Sequence, residues 1–107
     1  MQQIRAQHLA DWLADTTRPQ PLLLDVREAW EYEHCHLPGA VLIPMHLIPA
    51  RQQEIDPDRD VVVICHHGVR SMQVAMFLER QGHDRLFNLT GGVAAWADEV
   101  DPSMPRY

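Results

Sequence analysis

The stretch Val61-Val62-Val63-Ile64-Cys65-His66-His67-Gly68-Val69-Arg70-Ser71 determines how this chain is read. Four β-branched residues in a row suit a strand covered on both faces, because no polar side chain interrupts them. The strand stops at Cys65. A short loop follows, and the spacing predicts a helix over Arg70–Gln81 with Gly82 as its C-terminal cap. A cysteine at such a strand-to-helix turn meets main-chain N–H groups and the positive end of a helix. Both favour thiolate over thiol, and the thiolate is the nucleophile.

Outward from this stretch the pattern repeats. Leu22–Val26 and Ala40–Ile43 are further continuous apolar runs, the second ended by Pro44. Leu86–Leu89 makes a last strand, and Gln3-Ile4 a short opening one. Between them lie helical patterns. Ala6–Ala14 carries Leu9, Trp12 and Leu13 at i, i+3, i+4 spacing. Glu28–Glu33 reads as a short helix, and Met45–Gln53 as a short or kinked one interrupted by Pro49. A final helix follows Thr90-Gly91-Gly92 and ends near Trp96. The helix after Cys65 carries Met72, Val74, Ala75, Met76, Phe77 and Leu78 around most of its circumference, which predicts packing on more than one side.

Strands buried on both faces and alternating with helices define an α/β fold with a mainly parallel sheet. No repeat or linker divides residues 1–107, so one domain is expected. In such folds functional groups gather at the carboxyl ends of the strands. Cys65, Asp25-Val26-Arg27 and Thr90-Gly91-Gly92 all fall at such ends, so three loops are expected to converge on one mouth.

Composition narrows the function. The chain is 46% hydrophobic and 22% charged, with a net charge of −6, and all nine basic residues are Arg. An acidic chain without a basic run is unsuited to nucleic acid or an anionic membrane. No apolar run approaches the roughly 20 residues that span a bilayer. Met1-Gln2-Gln3-Ile4-Arg5 lacks the apolar core of a secretory leader, and a cytoplasmic location is expected. Cys35 and Cys65 allow one disulfide at most, which a reducing cytosol disfavours.

The loop itself counts as C-x4-R, from Cys65 to Arg70. Gly68 frees the backbone to turn successive N–H groups inward as an anion-binding nest. Arg70 and Ser71 open the helix. The Arg70 guanidinium binds an anion there or reaches outward to an acidic neighbour; the sequence leaves both open. His66 and His67 add adjustable positive charge near neutral pH. Such a cradle suits a thiolate, a persulfide or a small oxyanion. Neither His66-His67 nor His34-Cys35-His36 has metal-ligand spacing, so no metal site is expected.

Four motifs together resemble a single rhodanese domain: Leu24-Asp25-Val26-Arg27-Glu28, His36-Leu37-Pro38-Gly39-Ala40, Cys65-His66-His67-Gly68-Val69-Arg70-Ser71, and Leu89-Thr90-Gly91-Gly92-Val93-Ala94-Ala95-Trp96. The resemblance covers nearly the whole chain. It implies a three-layer sandwich with a five-stranded parallel sheet and helices on both faces. It further implies that Cys65 takes a sulfane sulfur from a donor such as thiosulfate, holds it as a persulfide among loop residues 66–71, and passes it to cyanide or a thiol. No metal or organic cofactor is required. Asp25 and Arg27 resemble the family's structural pair and are expected to brace loops.

Three rivals stand beside that reading. Related phosphatases and arsenate reductases have a loop resembling C-x5-R, one residue longer than the loop here. A docking module would need no nucleophile, yet the loop keeps Cys65. A sulfur relay, fed by a protein persulfide and emptied by a protein carrier, would use the same loop. Cys35 reads as a packing residue or as a resolving thiol. Trp96 reads as core rather than rim because its aromatic burial is large.

Overall fold

The computed structural model describes all 107 residues. Its strands are β1 (Gln2–Ile4), β2 (Leu22–Asp25), β3 (Val41–Leu42), β4 (Val61–Ile64) and β5 (Leu86–Leu89). They form one sheet in the order β1-β5-β4-β2-β3. Every adjacent pair is parallel, so the sheet is wholly parallel rather than mainly so. The central strand is β4, as its unbroken apolar sequence requires.

Alternation along β4 creates two cores. Val62 and Ile64 pack with Leu9 and Trp12 of α1 (Ala6–Ala14) and with Val93, Trp96 and Ala97 of α5 (Gly92–Glu99). Val61 and Val63 point the other way, to Ile48 of α3 (Ile48–Arg51) and to Val74, Ala75 and Leu78 of α4 (Val69–Arg80). Successive strand residues face opposite sides, so one apolar run supplies both interfaces of a three-layer sandwich. Cys65 continues the phase of Val61 and Val63 and belongs to the α4 core.

Several boundaries differ from the sequence reading. The chain between β3 and β4 is a 3-10 turn at Met45–Leu47, then α3, then a second 3-10 turn at Gln52–Glu54. Pro49 falls in the first turn of α3, where its missing N–H costs nothing, and so it starts the helix rather than breaking one. The helix α2 spans Ala29–His34, one residue later than expected, because Glu28 is its N-cap in a reciprocal capping box with Glu31. The helix α4 begins at Val69, while α5 runs past Trp96 to Glu99. At the end of α4, Gly82 adopts φ +101°. The amides of His83 and Gly82 bond back to Leu78 and Glu79, the Schellman arrangement expected of a glycine stop.

Packing of α4 corrects the expectation of burial on several sides. Val74, Ala75 and Leu78 are buried, but Met72 and Met76 are exposed. One face alone meets the sheet.

Candidate active site

Cys65 leaves the end of β4 and is 1% exposed. The amide of Gly68 donates to its sulfur at 3.0 Å. Gly68 makes this possible by adopting φ +99°, a left-handed conformation that other residues resist. The amides of His66 and His67 donate to no protein acceptor. They are uncommitted within the protein.

The loop is held from outside by α5. Amides of Val93 and Ala94, in the first turn of that helix, donate to the carbonyls of Cys65 and His66 at 2.9 and 3.0 Å. Those carbonyls are thereby turned away from the sulfur and toward the helix. Gly92 permits the approach: a Cβ there would overlap both carbonyl oxygens. The Thr90-Gly91-Gly92 turn thus converges on the Cys65 loop, as the positions of the strand ends predict.

Beneath the loop lies a neutral hydrogen-bonded chain. Ser71 Oγ is 3.3 Å from Cys65 Sγ and 2.5 Å from Asn88 Oδ1. Asn88 Nδ2 donates to the Gly68 carbonyl at 3.2 Å and to Gln3 Oε1 at 2.9 Å. Ser71 and Asn88 are fully buried.

Beside the loop runs a charged chain. Arg27 and Asp25 form a pair with 0% exposed side chains, joined through Nε and Nη2. Arg27 also donates to the Cys35 carbonyl at 2.6 Å and to the Tyr107 hydroxyl at 2.8 Å. Tyr107 donates in turn to Glu31 Oε2 at 2.7 Å. Glu31 receives both Nη atoms of Arg70, at 2.7 and 2.9 Å, and the Glu28 amide at 3.0 Å. Of the two roles open to Arg70 in the sequence, the structure shows the second: it ties down an acidic neighbour.

Electrostatics follow from these contacts. The Arg70 bonds hold the Glu31 carboxyl down to about 2, against burial that would raise it. Burial opposes charge on Arg27, but Asp25 and Tyr107 outweigh it and its pKa is raised. Burial pushes the Tyr107 hydroxyl up to about 12; its bond to Glu31 adds to this, against Arg27. His66 is shifted below its ordinary value, first by burial and then by His67. Its share of protonated ring near neutral pH is therefore smaller than that of an ordinary histidine. Its ring stacks on that of His67 at 3.9 Å and on that of Tyr107 at 3.8 Å.

The predicted site residues divide cleanly. Gly68 and Ser71 contact the sulfur, Arg70 faces Glu31, and Val69 is 66% exposed. His66 and His67 border a cavity of about 120 Å³ against α5 and residues 105–107. Asp25 and Arg27 brace the Cys35 segment, as expected. Cys35 and Cys65 are both free and belong to cores on opposite faces of the sheet, which favours packing over a resolving role for Cys35. Trp96 is 6% exposed and belongs to the core. Sequence reasoning missed Glu31, Asn88 and Tyr107. Glu28-x-x-Glu31 was legible as a capping box, and Asn88 as a lone amide inside an apolar strand.

A parallel sheet whose central strand ends in a cysteine, collared by a loop that runs straight into a helix, defines a cysteine-loop α/β domain. The chain belongs to the rhodanese-like domain family, whose pattern it matches over residues 6–99. It is 45% identical to a protein named sulfurtransferase from Allochromatium vinosum, over 89% of this chain and 87% of that one. It is 42% identical to Rhodanese-like/PpiC domain-containing protein 12, chloroplastic, from Arabidopsis thaliana, over 79% of this chain but only 30% of that longer protein. The crystal structure of a rhodanese-like domain protein from Staphylococcus aureus superposes with a TM-score of 0.84 at 33% identity, covering 94% of this chain and 95% of that one. No helix is long and apolar enough to cross a membrane.

Proposed function

We propose that this chain transfers sulfane sulfur through a persulfide on Cys65, with residues 66–71 as its binding loop. The carrying observation is the Cys65 sulfur at a strand end, receiving the Gly68 amide at 3.0 Å while the neighbouring His66 and His67 amides stay uncommitted. The Cys65 thiolate attacks the outer sulfur of the donor. A Cys65 S–S bond forms, the donor's S–S bond breaks, and its electron pair leaves on the inner sulfur. The free amides are available to the anionic outer sulfur of the product. Cyanide or a thiol then removes that sulfur and leaves Cys65 ready for another cycle.

The name of the Allochromatium relative supports transferase chemistry. The charge pattern bears on the donor. Arg70 is paired with Glu31, Arg27 is paired with Asp25, and His66 is shifted toward neutrality. A dianion such as thiosulfate meets no unpaired arginine at this loop, which favours a persulfide donor carried by a thiol or a protein. The relay reading therefore stands beside the thiosulfate reading on a specific observation.

Intact mass tests both. The protein is incubated separately with thiosulfate and with a small-molecule persulfide. One added sulfur atom is expected, removed by cyanide and absent in Cys65→Ala. Addition from the persulfide alone selects a persulfide donor over thiosulfate; addition from neither donor sinks the proposal.

A further inference from the structure

The neutral chain beneath the loop has only one consistent set of donors. Asn88 lies in β5, 1% exposed, and its Nδ2 is within bonding distance of the Gly68 carbonyl. A main-chain carbonyl only accepts, so the amide NH₂ must face Gly68. That places Oδ1 toward Ser71, 2.5 Å from its hydroxyl oxygen. An amide oxygen cannot donate, so the single Ser71 proton lies on the Asn88 side. Cys65 Sγ, 3.3 Å away, then faces the Ser71 lone pairs.

The consequence reverses the usual role of a serine beside a cysteine. With its proton committed, Ser71 accepts a hydrogen bond from the Cys65 S–H rather than donating one to a thiolate. We propose that Asn88 is a positioning residue which withholds the Ser71 proton from Cys65, and so holds the idle nucleophile as a thiol. Forming the sulfur anion then leaves it against an oxygen lone pair, or requires Ser71 to release a buried Asn88 oxygen. Losing a buried acceptor's partner is costly. The arrangement limits oxidation of a resting thiolate, while the Gly68 amide remains aimed at the sulfur for the charged states of the cycle.

This rests on the reading of Cys65 as the sulfur carrier, but its test does not. The rate of Cys65 alkylation by iodoacetamide is followed against pH, in the Cys35→Ala background, for the parent, Asn88→Ala, Ser71→Ala and the double variant. The other charged and titratable groups around the loop remain in all four proteins: His66, His67, Arg70 with Glu31 from α2, the Asp25–Arg27 pair at the end of β2, and Tyr107 from the C-terminal segment. Releasing the hydroxyl in Asn88→Ala lets it donate to the sulfur anion, so the midpoint of the profile moves to lower pH by about one unit. In the Ser71→Ala background the same change produces no downward shift.

A merely structural Asn88 predicts the opposite sign. Loss of its bond to the Gly68 carbonyl would loosen the Gly68 amide and raise the midpoint, with or without Ser71. A rise, an unchanged midpoint, or a downward shift that persists without Ser71 overturns the proposal. Ser71→Ala alone carries the test should the Asn88 variant not fold. Its midpoint stays or falls if Ser71 is an acceptor, and a rise shows Ser71 to be a donor. Sulfur loading is not needed for any of these readings.

Discussion

Two hydrogen-bonded chains flank the Cys65 loop, and they differ in kind. One is charged: Asp25, Arg27, Tyr107, Glu31 and Arg70, running from the end of β2 to the first turn of α4. The other is neutral: Gln3, Asn88 and Ser71, reaching the sulfur from below. Every arginine of the first chain is answered by a carboxylate or a hydroxyl before it can address the sulfur. The comparison separates position from chemistry. The charged chain fixes where the loop stands, while amides and a hydroxyl determine what the sulfur meets.

The largest break in the charged chain is Arg27→Met. Asp25 would keep its full burial and lose its partner, and the Cys35 carbonyl would lose the guanidinium as well. Removing one member of a buried pair costs about 3–5 kcal/mol. Urea denaturation should show that loss. A change below about 1 kcal/mol would mean that Asp25 gains water or another partner once the guanidinium is gone.

The second break is Arg70→Met, and its signature is a pH window. Arg70 is 35% exposed, so the loss at neutral pH is smaller, about 1–2 kcal/mol. The Glu31 carboxyl is held at about 2, below its ordinary 4.5. A depressed carboxylate contributes its stability in full above the unfolded value and loses it as pH falls through the folded one. The parent should therefore lose stability between pH 4.5 and about 2 through Glu31, and Arg70→Met should lose less over the same range. Asp15 and Glu54 are also held low, by Thr17 and Arg51, and titrate alike in both proteins. Parallel acid-dependence curves would show that Tyr107 and the Glu28 amide hold Glu31 without Arg70.

The two chains also differ in how far the sequence exposed them. Cys65, Gly68, Arg70 and Ser71 are consecutive enough that strand, loop and helix can be read as one motif. The strand β4 falls where its unbroken apolar run places it, and β5 where a run broken only by Asn88 does. Helix α1 is legible for the same reason, since Leu9 and Trp12 share a buried face. Partners across the fold are another matter. Glu31 meets Arg70 over 39 residues, and Tyr107 meets Glu31 over 76. No local pattern records such a pairing. The sidedness of α4 failed for a related reason: methionine is apolar enough to read as core, yet Met72 and Met76 stay exposed on the face turned away from the sheet. Burial depends on which neighbours the topology supplies, not on the residue's hydropathy alone.

Tyr107→Phe is the mildest break and the sharpest probe of the comparison. The substitution deletes only the hydroxyl that joins the Arg27–Asp25 pair to the Glu31–Arg70 pair. Each ion pair survives by itself, so stability should fall by only about 0.5–1 kcal/mol. The phenyl ring retains the 3.8 Å stacking distance available over His66, which keeps that face of the loop covered. If the charged chain acts only to position the loop, the alkylation profile of Cys65 should be unchanged in this variant, in contrast to Asn88→Ala. A shift of that profile would mean that charge is transmitted from the Tyr107 bridge to the sulfur. The division between a bracing chain and a chemical one would then have to be redrawn at Arg70, the one member of the charged chain that also belongs to the loop.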